Sequence, residues 1–400
     1  MTAPKLRFKE FDGDWTLQNL GDSFSLISGY AFPSSSSVDV GARWLKIADV
    51  GIQEMTPNNP SYLPLEYLDK YSQFIVSKND YVIALTRPIL NKKLKIAKVG
   101  ELYDGALLNQ RVAKIYSKTK DLDFIYSLLQ KSKTVEELEN SIAGTDPPNL
   151  SLNDVKEIKL GFPSKEEQTK IASFLSAVDE KINQLTQKHQ LLSQYKQGMM
   201  QKLFSQKMRF KAEDGSEFGE WECIQANSIF ENYSNKNHDG SLTILAATQY
   251  KGVVPRDEID IDIKSSDASV LSYKIIEKGN FVISLRSFQG GIEYSNYEGI
   301  CSPAYTVLKV IKPIDTGFYK AYLKTNDFIQ RLSSTVIGIR DGKQISYQAF
   351  STLMIDYPCL EEQTKIANFL SAIDQKIEVT AQQIEQAKLW KKGLLQQMFV

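Results

Sequence analysis

Three short segments of the 400-residue chain hold residue types from which a catalytic site could be built. Asp146–Asn149 is similar to the Asp/Asn-Pro-Pro-aromatic motif of adenine methyltransferases, but asparagine replaces the ring that would stack on a flipped base. Asp262 and Lys264 have the carboxylate-x-lysine spacing of a nuclease, without an identifiable acidic partner on a neighbouring strand. Gly338–Gln344 is one residue short of a phosphate-binding loop and lacks the hydroxyl that would ligate Mg²⁺. The motifs therefore predict a chain without catalytic activity of its own.

The cysteines and histidines do not have the spacing of metal ligands. Cys223, Cys301 and Cys359 all lie in the second half, and an odd count without a disulfide framework is typical of reduced thiols in a cytoplasmic protein. His189 lies on the apolar face of a helical pattern and predicts a packed side chain, whereas His238 lies in a polar loop. No run of about 18 apolar residues and no apolar leader is present, so we expect no association with a membrane.

Side chains that could contact nucleic acid occur in turns, although the net charge of the chain is zero. Bidentate arginine reads guanine, asparagine or glutamine reads adenine, and lysine mostly contacts phosphate. The segment from Tyr81 to Gly100 contains five cations and no acid, and a polar triplet follows it. The candidates in this first half are Arg87, Lys92, Lys93, Lys95, Lys98, Asn109, Gln110 and Arg111. For each of them the alternative is an ordinary solvated loop residue.

The second half offers a smaller set of candidates. A loop that ends in Gly290-Gly291 is flexible enough to approach a groove closely, and another exposed loop spans Gly338–Gln344. The candidates are Arg286, Ser287, Gln289, Arg340 and Lys343. A solvated loop remains the alternative here as well.

An internal repeat determines how these residues must be positioned. With an offset of 195 residues, Pro163–Phe204 aligns with Pro358–Phe399 without a gap, and 20 of the 42 positions are identical. Each copy begins after a proline with an acidic pair, Glu166-Glu167 or Glu361-Glu362, which the helix dipole favours in a first turn. Each copy therefore predicts a helix of about 40 residues, roughly 60 Å long.

Both helices have the 4,3 spacing of a coiled-coil seam. The seam residues are Ile171, Leu175, Val178, Ile182, Leu185, His189 and Leu192 in the first copy, and Ile366, Leu370, Ile373, Ile377, Thr380, Ile384 and Ala387 in the second. The spacing drifts afterwards, where Lys196 and Lys391 occupy the next seam position. Two matched copies in one chain favour antiparallel pairing within the chain, and pairing between chains is the alternative. Gly198 and Gly393 indicate a close approach of backbone, a docking surface or a bend without function.

The repeat extends into the globular segments, although most of their side chains differ. Arg7-Phe8, Phe11 and Trp15 open the first half, and Arg209-Phe210, Phe218 and Trp221 open the second. Short alternating apolar runs mixed with a few helices predict an α+β fold, and the two tryptophans are expected to anchor the cores. Like helices that join unlike globular segments suit a long ligand that is read at two places, such as DNA.

As a set, these features resemble the specificity subunit of type I restriction–modification enzymes over essentially the whole length. The resemblance is carried by Pro163…Glu167-Gln168…Ile171-Ala172…Leu175…Asp179…Ile182, by its copy from Pro358 to Ile377, and by the Arg-Phe…Phe…Trp openings. Leu285–Gly291 and Ser302–Tyr305 are also similar to that family's second-domain segments.

The resemblance implies an α+β fold with two similar target-recognition domains separated by two long antiparallel coiled-coil helices. The expected ranges are 1–162 and 207–357 for the recognition domains, and 163–206 and 358–400 for the spacer helices. Each domain would read one half of a bipartite, asymmetric site in double-stranded DNA. The helices would set the gap between the half-sites.

The resemblance also implies which partners such a chain has. The helices would dock two methyltransferase subunits, and restriction subunits with motor and nuclease activities would join them. S-adenosylmethionine, ATP and Mg²⁺ would be used by these partners, and the chain itself would need no cofactor. A coiled-coil scaffold that binds proteins through its globular ends is the main alternative, and a self-contained enzyme is a third.

Overall fold

The computed structural model describes residues 3–57, 59–142, 147–151, 153, 156–259, 270–285, 287–335 and 345–400. The chain forms two compact units, Met1–Thr186 with Gln382–Val400, and Gln187–Ala381. Each long helix contributes to both units, because each division falls inside one of them. The bounds of these helices, Lys165–Phe204 and Leu360–Gln397, lie within the segments 163–206 and 358–400 that the repeat predicts.

The elements of the first unit alternate short strands with short helices. The strands are β1 Thr16–Asn19, β2 Ser25–Ser28, β3 Ala42–Leu45, β4 Tyr62–Leu63, β5 Ile75–Val76, β6 Tyr81–Ala84, β7 Ile89–Leu90, β8 Lys93–Leu94, β9 Ile96–Lys98, β10 Ala106–Leu108, β11 Val112–Tyr116 and β12 Lys159–Phe162. The helices are α1 Leu20–Ser23, α2 Tyr67–Lys70, α3 Leu122–Leu128, α4 Ser132–Ser141 and the long α5 Lys165–Phe204. Short 3₁₀ turns occupy Ser34–Ser36, Ile47–Asp49, Ser72–Phe74 and Glu101–Tyr103.

The second unit contains the corresponding elements. Its strands are β13 Glu222–Gln225, β14 Phe230–Tyr233, β15 Leu245–Thr248, β16 Gly252–Pro255, β17 Lys274–Ile276, β18 Phe281–Ile283, β19 Glu293–Tyr294, β20 Gly299–Cys301, β21 Thr306–Val310 and β22 Met354–Tyr357. Its helices are α6 Ser287–Gly290, α7 Thr316–Tyr322, α8 Asn326–Ser334, α9 Tyr347–Ser351 and the long α10 Leu360–Gln397, with 3₁₀ turns at Ala226–Ser228 and Arg256–Glu258.

The main sheets of the two units have the same topology, whereas the first unit has a second sheet, β4-β3-β10-β5, where the second unit has the separate pairs β15–β16 and β17–β20. The first contains an antiparallel sheet in the order β2-β11-β6-β9, and the second contains β14-β21-β18-β19 in the same arrangement. The pairs β1–β12 and β13–β22 also correspond, as do the antiparallel pairs β5–β10 and β17–β20. This agreement confirms the prediction that the globular segments share an α+β fold.

Alternation along the central strand explains where each core lies. In β6, Tyr81 and Ile83 face the cluster that contains α3 and the start of α5, while Val82 and Ala84 face a second cluster. Strand β18 repeats this pattern with Phe281 on one face and Val282 on the other. Because successive side chains of a strand point to opposite faces, each sheet lies between two apolar layers.

The glutamate and glutamine of the repeated motif hold the start of each long helix against its globular segment. Arg7 donates two hydrogen bonds to the Glu167 carboxylate, at 2.8 and 2.7 Å, and the Trp15 indole donates a third at 3.3 Å. In the second unit Arg209 donates to Glu362 at 3.0 and 2.7 Å, and Trp221 donates at 2.8 Å. The acid at this position is therefore buried and ion-paired, rather than merely placed in a first turn as the sequence indicates.

The glutamine that follows connects the long helix to a short one. Gln168 donates to the Pro163 carbonyl at 3.0 Å and accepts from the Asp121 N–H at 3.2 Å. Gln363 makes the same two bonds, with Pro358 at 2.7 Å and with the Asp315 N–H at 2.9 Å. The two aspartates are the N-caps of α3 and α7. The identical residues of the repeat therefore perform one structural task twice.

In each unit, the first part of one long helix packs beside the last part of the other, as antiparallel pairing requires. The predicted seam is confirmed where it packs against the cores, since Ile171, Leu175, Ile366 and Leu370 are all buried. His189 is half-buried, and both helices run without a break through their glycines. A Cβ atom at Gly198 or Gly393 would meet nothing within 4 Å, so neither glycine is needed for a close approach of backbone in this chain.

The two lysines at which the seam drifts form matching ion pairs. Lys391 contacts Asp179 at 2.6 Å in the first unit, and Lys196 contacts Asp374 at 2.6 Å in the second. These four residues are related by the offset of the repeat, so each lysine pairs with the aspartate of the other helix. The drift in the seam is therefore an exchange of apolar packing for a reciprocal polar contact.

The two chain termini lie in the first unit. The Leu6 N–H donates to the carbonyl of Gln397 at 2.9 Å, at the end of α10. At the matching place in the second unit, the Met208 N–H donates to the carbonyl of Lys202 at 3.2 Å, near the end of α5. One backbone contact is thus made twice, across the two ends of the chain and within a continuous segment.

Candidate nucleic-acid interface

The segment that leaves β6 places Arg87 at the surface of the first unit. Arg87 is exposed and has a φ of 47°, a left-handed conformation that costs a non-glycine residue roughly 1 kcal/mol or more. Its N–H donates to the Pro148 carbonyl at 2.7 Å, and the preceding Thr86 hydroxyl donates to the Asn149 side-chain oxygen at 2.6 Å. The described part of the Asp-Pro-Pro-Asn segment, residues 147–149, therefore fixes the backbone that presents this arginine.

A hairpin follows Arg87 directly and carries two of the predicted lysines. Strands β7 and β8 are joined by Asn91 and Lys92, whose φ values of 51° and 58° are those of a type I′ turn. Lys92 and Lys93 are exposed, and Leu90 beside them is 53% exposed. The Lys95 N–H returns to the Pro88 carbonyl at 2.7 Å, so the hairpin projects from a closed base.

The polar triplet lies beside Arg87. Val112 pairs with Ala84 across β11 and β6, and the Leu85 N–H then donates to the Arg111 carbonyl at 2.8 Å. Gln110 and Arg111 are exposed, whereas the Asn109 side-chain oxygen accepts from the Arg111 N–H at 3.1 Å. The fold thus brings two separate sequence segments together in one surface, which we call the unit 1 edge: Arg87, Lys92, Lys93, Gln110 and Arg111.

Two of the predicted cations point elsewhere. Lys95 is half-buried, its amine donates to the Ile47 carbonyl at 3.2 Å, and burial lowers its pKa. Lys98 is exposed but pairs with Asp123 at 3.0 Å and lies over the Tyr81 ring. The acid that neutralises Lys98 comes from α3, outside the segment from Tyr81 to Gly100, and so the local sequence could not reveal it. Contact of either lysine with phosphate stays a prediction.

The candidates of the second unit are described only in part. Arg286, Arg340 and Lys343 lie outside the described residues, as do Asp262 and Lys264. Ser287 is buried, and its hydroxyl accepts from the Ser284 N–H at 2.8 Å, which makes it part of the turn that begins α6. Gln289 is exposed on the same short helix. Of the described candidates in this unit, Gln289 is the one whose side chain faces solvent.

One difference between the two units lies in the connection between the third and fourth strands of the main sheet. It holds the β7–β8 hairpin between β6 and β9 in the first unit, and α6 between β18 and β19 in the second. Beside α6 lies the loop between β15 and β16, because a Cβ atom at Gly290 would approach the Gln249 side chain to 2.7 Å. The sequence analysis missed this loop, whose signal is Thr248-Gln-Tyr-Lys-Gly252 between two apolar runs.

Among the described residues, no helix combines the length and the apolar character needed to cross a membrane. Among these same residues, histidines, cysteines and acids do not gather in a group of three or more that could hold a metal ion.

Comparison with known proteins places this geometry in a family context. The family model described as "Type I restriction modification DNA specificity domain" matches residues 13–193 and 221–389. The MjaVIII specificity subunit of a type I restriction enzyme from Methanocaldococcus jannaschii is 31% identical over 209 residues, which are 52% of this chain and 49% of that protein. The chain thus spans about half the length of this relative. The putative MjaX specificity subunit from the same organism is 23% identical over 420 residues, with 98% of this chain and 94% of that protein covered.

Solved structures share the fold over the whole chain. The type I restriction–modification S subunit from M. genitalium has a TM-score of 0.60 and 17% identity, and the match covers 100% of this chain and 99% of that one. A chain from a study of complex assembly and conformational transition of the type I restriction–modification system has a TM-score of 0.55, 17% identity, and coverage of 95% and 96%. These matches confirm the fold class that the sequence predicts.

Proposed function

Because the chain belongs to the type I restriction–modification DNA specificity family, we propose that it is the DNA-reading subunit of such an enzyme. Each globular unit reads one half of a bipartite, asymmetric site in double-stranded DNA, and the long helices set the gap between the halves. One observation carries the proposal: the main sheets of the two units share one topology but hold a different structure in the same connection, a hairpin in one and a helix in the other. A shared scaffold with unlike surface segments suits the reading of two unlike sequences.

The unit 1 edge has the chemistry of a DNA contact. Its five side chains are exposed, and they include two arginines and a glutamine, which read base edges, and two lysines, which contact phosphate. The strained backbone at Arg87 supports this role, because strain of this kind is retained where a side chain must be presented in one direction. Gln289 has the corresponding place in the second unit.

The helices suit the docking of two copies of one partner. Tyr195 and Trp390 occupy matching positions of the repeat and are 50% and 54% exposed. Each lies three residues before a glycine with open space above it, Gly198 or Gly393. We propose that a methyltransferase subunit docks on each of these surfaces and that restriction subunits join the resulting core.

Catalysis is assigned to the partners. A specificity subunit contributes recognition, and the partners would use S-adenosylmethionine, ATP and Mg²⁺ to methylate adenine and to move along and cut DNA. The free thiols at Cys223, Cys301 and Cys359 suit a protein that acts in the cytoplasm on the host's own DNA.

The first test is a salt titration of duplex binding by the full chain. The logarithm of the binding constant should fall with the logarithm of salt concentration, with a slope of about 0.9 for each phosphate contacted. The double variant Lys92→Gln, Lys93→Gln should reduce this slope by about 2. Lys78→Gln with Lys118→Gln is the matched control. Both lysines are exposed and lie at the end of β6 and β11 that is farther from the unit 1 edge, so their removal should leave the slope unchanged. Binding without salt dependence, or no binding, would favour a protein-binding scaffold instead.

The second test addresses the division of labour between the units. Residues 1–162 are replaced by those of another family member, and methylated adenines are mapped in a host that carries the full complex. One half of the methylated sequence should change and the other should stay. A change in both halves, or in neither, would contradict independent reading.

A further inference from the structure

The loop between β15 and β16 is held in a fixed turn. Strand β15 pairs with β16 from Leu245–Pro255 to Thr248–Gly252, which leaves Gln249, Tyr250 and Lys251 at the tip. The Thr248 hydroxyl donates to the Gly252 carbonyl at 2.9 Å and accepts from the Lys251 N–H at 3.0 Å. Gly252 has a φ of 74°, and a Cβ atom there would come within 2.9 Å of the Tyr294 carbonyl, so glycine is required at this point.

The tip is also anchored from below. The Lys324 amine donates to the Gln249 carbonyl at 2.9 Å and pairs with the Glu293 carboxylate at 2.7 Å. The Glu293 side chain is 3% exposed and belongs to β19, so this ion pair joins the tip to the interior of the main sheet. A buried charge held by an amine that also reaches the loop backbone restricts the motion of the tip.

The cations Lys251 and Lys320 face solvent in this unit, and the acids Asp257 and Glu258 lie at the other end of β16.

Tyr250 presents its ring to water on this anchored tip. It is 95% exposed, more than any other large hydrophobic side chain among the described residues. The ring therefore adds almost nothing to the stability of the fold. An aromatic side chain held on a rigid turn loses little conformational entropy when it makes a contact, which is why tyrosine is frequent in recognition surfaces.

The tip stands beside the connection in which the two units differ. The Gln249 side chain meets Gly290, the last residue of α6, and Gln289 is exposed on that helix. The tyrosine, the flanking Lys251 and Gln289 thus combine a ring, a cation and an amide, which are the three kinds of side chain that contact sugar or base, phosphate and base edge.

We infer that Tyr250 is a DNA-contacting residue of the second unit, with its ring placed against bases or sugars in a groove while Lys251 contacts phosphate. Lys324 and Glu293 are positioning residues that hold the tip. This inference rests on the proposed function, and it adds a specificity element that lies outside the connection between β18 and β19.

The test compares two exposed tyrosines of the same unit in the assembled methyltransferase complex. Tyr250→Ala removes the ring at the tip, and Tyr297→Ala removes a ring that is 40% exposed beyond β19, at the opposite end of β18 and β19 from α6. The probe is a fluorescent duplex that carries the sequence methylated in the host, and binding is measured by anisotropy. Tyr250→Ala should weaken binding about tenfold, Tyr250→Phe should stay within about twofold, and Tyr297→Ala should bind like the wild type.

The thermal unfolding midpoint of Tyr250→Ala and Tyr250→Phe should equal that of the wild type, because a ring that is 95% exposed supports almost no packing. Tyr297→Ala removes a ring that is only 40% exposed, so its midpoint should fall without a change in DNA binding. Unchanged binding by Tyr250→Ala, or an equal loss in both alanine variants, would overturn the inference while wild-type binding keeps the proposed function intact. If the wild-type complex itself does not bind the duplex, the proposed function fails instead. Mapping of methylated adenines in hosts that carry Tyr250→Ala should show relaxed sequence preference in one half-site alone.

Discussion

Removal of Asp179 should destabilise the protein far more than removal of Asp374, although the two aspartates occupy matching positions of the repeat. Lys391, the partner of Asp179, has a side chain that is 5% exposed. Lys196, the partner of Asp374, has one that is 27% exposed, and Asp374 itself is 54% exposed. The chain therefore contains a buried and an exposed version of one ion pair, and each serves as the control for the other.

The expected loss of stability depends on the contacts that each lysine retains after its aspartate is removed. Breaking a buried pair by removing one partner costs about 3–5 kcal/mol, because a charge stays in the interior without compensation. Lys391 would still reach the side-chain oxygens of Gln130 at 2.9 Å and Gln53 at 3.2 Å, so we expect about 2–3 kcal/mol for Asp179→Asn. Asp374→Asn should cost less than about 1 kcal/mol, because solvent replaces the lost partner.

The effect should also depend on pH in one direction. Burial lowers the pKa of Lys391, and Asp179 opposes that shift by favouring the charged amine. Without Asp179 the pKa falls further below its unfolded value. A lysine with a lowered folded-state pKa destabilises the fold in full below that pKa, and the penalty shrinks as pH rises above it until it is gone above the unfolded pKa. The deficit of Asp179→Asn should therefore be largest near neutral pH and shrink toward about pH 10.

Urea denaturation followed by tryptophan fluorescence measures both variants. Trp15, Trp44 and Trp390 lie in the first unit and Trp221 lies in the second, so the signal reports mainly on the unit that contains Lys391. The midpoint of Asp179→Asn should fall while the slope of the transition stays the same, since the area exposed on unfolding does not change. Equal costs for the two variants, or a deficit that grows with pH, would refute the reasoning.

Two further outcomes are expected in solution. Arg209→Met should lower the free energy of unfolding in urea by about 3 kcal/mol, because Glu362 is buried and loses its two guanidinium bonds. Lys211→Met is the control and should have no measurable effect, since that lysine is exposed. Equal effects of the two substitutions would contradict this prediction. Thiol labelling of the native protein should modify two cysteines and reach Cys301 only after denaturation, because burial raises the pKa of that thiol to about 12. The two reactive thiols are expected to be Cys223 and Cys359.

The sequence predicted the architecture because repeated residues and apolar spacing are local signals. The bounds of α5 and α10, the burial of their seam and the similarity of the two main sheets all follow from such signals. It could not predict the polar contacts between distant segments. In the sequence of each helix, Lys196 and Lys391 interrupt the apolar seam. Their aspartate partners belong to the other helix and can be identified only when the packing of the two helices is known.

The candidate interface was predictable only in part for the same reason. Arg87 and Arg111 are far apart in sequence, and the pairing of β6 with β11 brings their segments together. Ser287 has a suitable side chain for DNA contact, but its hydroxyl completes a turn. Tyr250 is one of 19 tyrosines, and composition gives no reason to select it; its value becomes clear from exposure and from the anchored turn that carries it.

The backbone contact between Leu6 and Gln397 has a consequence for how such a protein can be rearranged. In the second unit the corresponding contact, between Met208 and Lys202, lies within one continuous segment. The same backbone hydrogen bond therefore forms whether or not the two segments are covalently joined. A circular version of the chain, linked from its last residue to its first and reopened near Ser205, should fold with its two units in reversed gene order. New combinations of recognition units could then arise by recombination at either junction, with the packing inside each unit preserved.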